Sequence, residues 1–243
     1  MSALLRLEGI VSGYGRGDIL RGVDFELEAG AIACIVGPNG SGKTTVFNLL
    51  TGYLRADAGS VAFAGRAVRR PDPTGLACAG LTRTFQQARI FPELTLVENL
   101  VVAIQQPWHA IARRAVRHAD AARALGLLEE FGLAGHARER AATLSYGQKK
   151  LLEFAAVLMG EPRLVLLDEP TAGVNPVMVE AMERHVRELH GRGLTFLLVE
   201  HNMNLVMRLC DPVIVLDHGT KLAEGPPAEV QSDAKVLDAY LGS

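Results

Sequence analysis

The 243-residue sequence predicts an α/β fold, and three observations support this prediction. Two continuous apolar runs, residues 31–36 and 164–167, are typical of parallel strands that are buried on both faces. Each run is followed by a segment with helical periodicity, as expected when strands and helices alternate. Residues 4–27 instead alternate apolar and polar side chains around a glycine-rich break at 12–17, which predicts short strands joined by a turn.

One region departs from the alternation of strands and helices. From about residue 88 to residue 160, apolar residues recur at helical spacing, for example at Leu96 and Leu100. We therefore predict a single domain, residues 1–243, with a helical lobe inserted at about 88–160. The pattern of strand and helix resumes after the lobe.

Composition excludes several classes of function. The formal net charge of -2 indicates no strongly basic face, so no nucleic-acid partner is expected. No apolar run approaches the roughly 20 residues that span a bilayer, and residues 1–8 lack the apolar stretch of a signal peptide. Any membrane role must therefore involve a partner protein. The cysteines Cys34, Cys78 and Cys210 are scattered and odd in number. Cys34 lies in an apolar strand and Cys210 in a predicted helix, so we expect buried thiols rather than a metal or redox site.

One segment matches the phosphate-loop pattern G-x-x-x-x-G-K-[ST] in full. It reads Gly37-Pro38-Asn39-Gly40-Ser41-Gly42-Lys43-Thr44, and Thr45 follows it. Glycines let backbone N–H groups approach phosphate oxygens, and the next helix presents its unpaired N–H groups and positive dipole end to the anion. Lys43 is expected to reach the β- and γ-phosphates, and Thr44 to place its hydroxyl on Mg²⁺. The segment predicts a bound nucleotide.

Two carboxylates follow the apolar run at 164–167. Asp168 would end a strand at the carboxyl edge of the sheet, where ligands of open α/β sheets bind, and can hold Mg²⁺ directly or through water. Glu169 can orient and deprotonate an attacking water. A solvated strand end would show the same residues, but the phosphate loop upstream favours the catalytic interpretation.

A third motif, Leu144-Ser145-Tyr146-Gly147-Gln148, lies between these two and is called the 144–148 motif below. Ser145 and Gln148 fit the Ser-x-x-Gln capping box of a helix N-terminus. A capped N-terminus is also an anion site, so a structural role and a ligand-binding role are compatible.

In this order, the phosphate loop, the 144–148 motif and Asp168-Glu169 resemble the nucleotide-binding subunit of ABC transporters along nearly the whole chain. The resemblance implies a P-loop NTPase core of ABC ATPase type with an antiparallel β portion, and ATP and Mg²⁺ as cofactors. It also implies a head-to-tail pair in which Ser145, Gly147 and Gln148 contact ATP bound to the second subunit.

The resemblance also assigns roles to residues outside the three motifs. His201 is at the position of the family's switch histidine, which bonds the γ-phosphate and helps to hold the attacking water. Gln86 matches the glutamine that senses Mg²⁺ and links the catalytic site to the helical lobe. Tyr14 is where the family stacks an aromatic ring on adenine. Tyr146 replaces the usual glycine, and Asn175 replaces the usual aspartate of the subunit-facing loop 172–175.

Finer similarity points to the branched-chain amino acid importers. It lies in the segments 81–86, 91–95, 98–100, 144–148, 224–226 and 240–242. It implies an ATPase at the cytoplasmic face of the inner membrane, paired with an identical or paralogous second ATPase subunit. Two membrane-spanning permease subunits and, indirectly, an extracytoplasmic binding protein complete the implied assembly.

Alternatives remain open at this point. Importers of urea and short amides, and the ATPase of lipopolysaccharide export, share much of the pattern. A non-transport ABC ATPase usually carries two cassettes or a long coiled-coil insertion, and this sequence shows neither. A stand-alone P-loop kinase would not need the 144–148 motif.

Overall fold

A computed structural model describes residues 3–15, 17–68, 72–84, 90–104 and 118–241. Within these ranges the strands are β1 (Leu5–Gly13), β2 (Asp18–Leu27), β3 (Ile32–Val36), β4 (Ala58–Phe63), β5 (Arg66–Ala67), β6 (Leu81–Arg83), β7 (Leu164–Asp168), β8 (Thr195–Val199), β9 (Val213–Asp217) and β10 (Thr220–Gly225). The helices are α1 (Lys43–Leu50), α2 (Pro73–Cys78), α3 (Leu96–Val102), α4 (His118–Glu130), α5 (Tyr146–Leu158), α6 (Pro176–Gly191), α7 (Met203–Leu209), α8 (Pro227–Ser232) and α9 (Ala234–Leu241).

The strands form two sheets. The first is antiparallel, in the order β2-β1-β4-β5, and the second has the order β10-β9-β3-β8-β7-β6. In the second sheet β9, β3, β8, β7 and β6 are parallel, and only β10 runs antiparallel at the edge. The carboxyl ends of the five parallel strands therefore meet at one edge of the sheet, which is where ligands of such sheets bind.

The strand register brings the segments that follow β3, β7 and β8 to the same level. Val199 in β8 is paired with Ile35 in β3 on one side and with Asp168 in β7 on the other. The phosphate loop, Asp168-Glu169 and His201 therefore leave the sheet side by side.

Both faces of the parallel sheet are buried, which explains the continuous apolar runs. All five residues of β3, β7 and β8 are buried. One face packs on the antiparallel sheet and α1, with Ile35, Val46 and Phe47 in the same core. The other face packs on α5 and α6, where Phe154 and Phe196 meet edge-on.

Helices α3, α4 and α5 occupy the region in which the sequence predicts the helical lobe. The α/β class and the antiparallel portion are confirmed, whereas the boundaries 88–160 stay a prediction. β5, α2 and β10 were not predicted, because they are short or, in β10, polar and partly exposed. Of the three cysteines, Cys34 and Cys210 are buried, as their positions in the sequence predict, and Cys78 is exposed.

Candidate functional site

The phosphate loop joins β3 to α1 and passes close to two other strands. At Gly37, a Cβ atom would lie 2.0 Å from the carbonyl oxygen of Leu216 in β9. At Gly42, where φ is 104°, a Cβ would lie 2.6 Å from Cδ2 of Leu20 in β2. At Gly37 the obstacle is backbone, so a larger residue would displace the loop from the sheet edge. At Gly42 the left-handed backbone favours glycine, and the Leu20 side chain would have to shift to admit a Cβ.

Lys43 holds the loop in a closed curve. Its ammonium donates to the carbonyl oxygens of Gly37 and Pro38, at 2.8 Å each. An ammonium has three N–H donors, so these contacts leave one for an anion. Burial lowers the pKa of Lys43, and the negative charge of Glu169 opposes that shift. A buried positive charge inside a turn of backbone N–H groups fits a phosphate ligand.

Two further features of the loop suit a ligand. Among the contacts of the described residues, no side chain caps the N-terminus of α1. The hydroxyl of Ser41 is buried and finds no hydrogen-bond partner in the same part of the chain. Unpaired buried polar groups are uncommon. The free N–H groups at the start of α1 and the Ser41 hydroxyl are therefore suited to donate hydrogen bonds to a bound nucleotide.

Two of the predicted catalytic side chains, those of Glu169 and His201, are in contact. Nε2 of His201 lies 3.1 Å from Oε1 of Glu169, although 32 residues separate them. Glu169 has a φ of 47°, and its N–H donates to the carbonyl oxygen of Val199 at 2.9 Å. A non-glycine residue in left-handed backbone is uncommon, and such strain concentrates at functional sites.

Asp168 is buried at the end of β7 beside a residue that the sequence analysis did not assign. Its Oδ2 accepts a hydrogen bond of 2.6 Å from Nη2 of Arg83, which ends the neighbouring strand β6. A buried carboxylate requires such a partner. The two residues are 85 positions apart, so only the neighbouring placement of β6 and β7 could have revealed the pair.

Glu200 was also missed, and it organises the segments on both sides of His201. Its buried carboxylate accepts from the N–H of Thr171 at 3.1 Å and from the Thr171 hydroxyl at 2.5 Å. It also accepts from the N–H groups of His201 and Asn202 at 2.9 and 3.1 Å. Glu200 therefore ties the loop after β7 to the turn that carries His201. A carboxylate at the end of an apolar strand was the available signal.

The 144–148 motif begins α5, as the capping box predicts. The hydroxyl of Ser145 accepts from the N–H of Gln148 at 3.3 Å, and Oε1 of Gln148 accepts from the N–H of Ser145 at 3.0 Å. The ring of Tyr146 approaches to within 3.5 Å of where a Cβ of Gly173 would be. The residue that replaces the usual glycine thus packs against loop 172–175 of its own chain.

The remaining predicted residues are distributed around the sheet edge. Tyr14 is exposed, and its hydroxyl accepts from Nδ2 of Asn48 at 2.7 Å. Asn175 caps α6 by accepting from the N–H of Met178 at 2.9 Å. Thr44 is exposed and Thr45 is buried in the first turn of α1. Gln86 lies outside the described residues.

The C-terminal helix α9 reaches the phosphate loop. The N–H of Gly37 bonds to the Tyr240 hydroxyl and favours its ionised form, whereas burial has the larger effect and raises the pKa of Tyr240. Tyr240 in α9 therefore lies beside the first glycine of the loop.

A family model described as ABC transporter matches residues 20–172, which include the phosphate loop, the 144–148 motif and Asp168-Glu169. The chain belongs to the ABC transporter family. A second model, described as branched-chain amino acid ATP-binding cassette transporter, matches residues 220–243. As a member of this family, the chain is a nucleotide-binding ATPase coupled to transport.

Curated relatives match along the full length. The high-affinity branched-chain amino acid transport ATP-binding protein LivG of Salmonella typhimurium is 37% identical, with 98% of each chain covered. BraF of Pseudomonas aeruginosa, whose name describes the same activity, is 36% identical, again with 98% of each chain covered.

Solved structures of ABC transporter cassettes have the same fold. A nucleotide-free ATP-binding cassette from an ABC transporter superposes with a TM-score of 0.89 at 34% identity, covering 100% of both chains. A dimeric cassette in a post-hydrolysis state with ADP and Pi gives a TM-score of 0.79 at 25% identity, covering 92% of this chain and 98% of that one. No helix in the described ranges is long and apolar enough to cross a membrane.

Proposed function

We propose that this ABC ATPase drives the uptake of branched-chain amino acids through separate permease subunits, at the cytoplasmic face of the membrane. The observation that carries the proposal is the full-length similarity to LivG and BraF, whose names state this transport. The match of residues 220–243 to the model for branched-chain amino acid cassettes supports it independently.

In this proposal the phosphate loop holds ATP through its backbone N–H groups and Lys43, with Thr45 in the same turn. The support is the closed curve of the loop, the uncapped start of α1 and the buried hydroxyl of Ser41. Tyr14 is exposed in the loop after β1, where an aromatic ring can stack on the base.

The oxygen atoms at this edge suit Mg²⁺. Thr44 offers a hydroxyl and Asp168 a carboxylate, which are hard ligands of the kind that Mg²⁺ prefers. Among the described residues, no group of three or more His, Cys, Asp or Glu could hold a metal by itself. Mg²⁺ usually takes one or two carboxylates together with phosphates and water, so this donor set fits. Bound Mg²⁺ would neutralise charge on the β- and γ-phosphates. Gln86 is the third proposed contributor.

Glu169 is the proposed general base. It takes a proton from the water that attacks the γ-phosphate, and His201 bonds both that carboxylate and the phosphate. The 3.1 Å contact between the two side chains supports this division of roles, because a hydrogen bond with the imidazole fixes the orientation of the Glu169 carboxylate. Glu200 keeps His201 in place through the backbone.

The second half of each site comes from another subunit in this proposal. Ser145, Gly147 and Gln148 make no hydrogen bond to the phosphate loop of their own chain, and all of these residues are described. A solved relative is described as a dimer with ADP and Pi. We infer a head-to-tail pair, with an identical or paralogous chain, bound to two permeases that receive cargo from an extracytoplasmic binding protein. No nucleic-acid partner is proposed.

Transport by reconstituted protein tests the cargo. The chain is placed in proteoliposomes with its permeases, ATP is enclosed on the ATPase side, and entry of radiolabelled leucine is compared with entry of urea. We expect leucine uptake that requires ATP, saturates with the binding protein and disappears in a Glu169→Gln complex. Uptake of urea in place of leucine would contradict the cargo assignment and favour the amide importers.

A further inference from the structure

Arg83 connects two parts of the nucleotide site. Only 5% of its side chain is exposed. Nη2 donates to Oδ2 of Asp168 at 2.6 Å, and Nη1 donates to Oδ1 of Asn48 in α1 at 2.7 Å. The guanidinium carbon lies 5.3 Å from the ring centroid of Phe47, also in α1. Arg83 thus ties the helix that follows the phosphate loop to the end of β7.

The chain of hydrogen bonds continues to Tyr14. Nδ2 of Asn48 donates to the Tyr14 hydroxyl at 2.7 Å. The direction of this hydrogen bond follows from the chemistry of the groups. A guanidinium has no acceptor, so Asn48 must turn its amide oxygen towards Arg83. The amide nitrogen is then left for Tyr14. We call Tyr14, Asn48, Arg83 and Asp168 the arginine network.

The network acts on the carboxylate that is proposed to receive Mg²⁺. A buried carboxylate without a compensating charge is strongly unfavourable, and it protonates or moves. Arg83 supplies the charge but bonds only Oδ2, which leaves Oδ1 for a cation or its water in the described part of the chain. Mg²⁺ demands short distances and near-octahedral geometry, so its binding is sensitive to the orientation of this group.

We propose that Arg83 is a positioning residue for Mg²⁺, and that through Asn48 it couples the metal-binding carboxylate to Tyr14 in the base-stacking loop. The inference rests on the proposed function, since it requires Asp168 to bind the Mg²⁺ of MgATP. Stacking uses the face of the Tyr14 ring, whereas the network uses only the hydroxyl. The two roles of Tyr14 can therefore be separated by experiment.

Two substitutions isolate the network in the full-length protein. Arg83→Lys keeps the charge but removes the planar fork that bonds Asp168 and Asn48 together. Tyr14→Phe keeps the ring and removes one exposed hydroxyl, so folding is preserved. The readout is binding of a fluorescent ATP analogue, measured in EDTA and then across a Mg²⁺ titration. It does not depend on turnover.

We expect Arg83→Lys to raise the half-saturating Mg²⁺ concentration about 10-fold, the lower end of what loss of a partner of a metal ligand costs. Tyr14→Phe should raise it about 2-fold, a fraction of that effect because Tyr14 acts through two intermediates. The affinity of each variant in EDTA is the reference for its own Mg²⁺ titration. The double variant should match Arg83→Lys alone, because the network is already broken. Arg6→Lys is the control, since Arg6 pairs with Glu26 on the surface at 2.8 Å and should shift nothing.

An unchanged or lower half-saturating concentration in a folded Arg83→Lys protein overturns the positioning role. If Arg83→Lys does not fold, an unchanged value in Tyr14→Phe overturns the coupling by itself, and a raised value supports it. Additive effects in the double variant also contradict the coupling. If ATP binding by the unaltered chain ignores Mg²⁺, the proposed function fails. A normal Mg²⁺ dependence that is indifferent to Arg83 contradicts only this inference.

Discussion

Helices α1 and α5 both begin at a motif that predicts contact with phosphate, but their N-termini are built differently. The N-cap of α1 is Gly42, in left-handed backbone and without a side-chain cap among the described contacts. The N-cap of α5 is Ser145, and both arms of its capping box are made. α1 leaves its first N–H groups for a ligand, whereas α5 satisfies two of its own.

The two helix N-termini also differ in how far they are exposed to solvent. Ser41, Gly42 and Lys43 are buried at the sheet edge, where the ligand of their own chain would bind. Ser145 and Tyr146 are exposed. This difference fits the proposal that the phosphate loop binds the nucleotide of its own chain, whereas the 144–148 motif is capped without a ligand and contacts a nucleotide held by another chain.

Glu169→Gln should trap a dimer in which the N-terminus of helix α1 of one chain and that of helix α5 of the other contact the same ATP. Loss of the general base is expected to slow hydrolysis by about 100-fold or more while ATP binding persists. ATP should then hold the chains as a stable dimer, measured by light scattering. Glu161→Gln is a matched control, because Glu161 is also a glutamate with positive φ, 52°, and lies outside the site. Near-normal hydrolysis by Glu169→Gln would contradict the assignment.

Gly42→Ala should damage the open N-terminus of α1. The new Cβ would meet Leu20 in a left-handed conformation that costs a non-glycine residue roughly 1–2 kcal/mol, so we expect ATP to bind about 10-fold more weakly. Gly126→Ala provides the comparison, since Gly126 lies within α4 and has open space around it. That change should stabilise the protein by about 0.5–1 kcal/mol in denaturant unfolding and leave ATP affinity unchanged. Equal affinities in the two variants would argue against a strained loop.

Mixing two inactive variants tests whether the phosphate loop and the 144–148 motif of one chain contact two different nucleotides. Lys43→Ala disables the phosphate loop and Ser145→Arg disables the 144–148 motif, so each homodimer should be nearly inactive. Random pairing in an equal mixture restores about a quarter of the sites, and ATPase activity should recover towards that fraction. Subunits must exchange freely, so the permeases are included. Failure to recover under exchange would mean that both residues serve one nucleotide.

The smallest expected effect separates capping from ligand binding in α5. Thr95 and Glu98 form a second complete capping box at the start of α3, without a proposed nucleotide contact. Ser145→Ala and Thr95→Ala should each lower the free energy of unfolding by about 1 kcal/mol. Only Ser145→Ala should also reduce ATPase activity, by a few-fold beyond its effect on stability. Equal activities after correction for folding would show that Ser145 acts only as a cap.

The elements on either side of the phosphate loop were predictable because their signals are local. A continuous apolar run predicts a strand buried on both faces, and the glycines and Lys43 predict the turn and the start of α1. The capping box of α5 and the cap of α6 at Asn175 were likewise predictable from a few adjacent residues, because capping joins atoms three positions apart.

The sequence by itself determined the parts that depend on neighbours along the chain: the buried apolar strands, the caps at Ser145 and Asn175, the phosphate loop and the family to which they belong. The tertiary structure decided which strand ends meet. The pair of Arg83 with Asp168 and the two bonds from Thr171 to Glu200 exist because β6, β7 and β8 are adjacent in the sheet. Strand order is set by the packing of the whole core, and no local pattern encodes it.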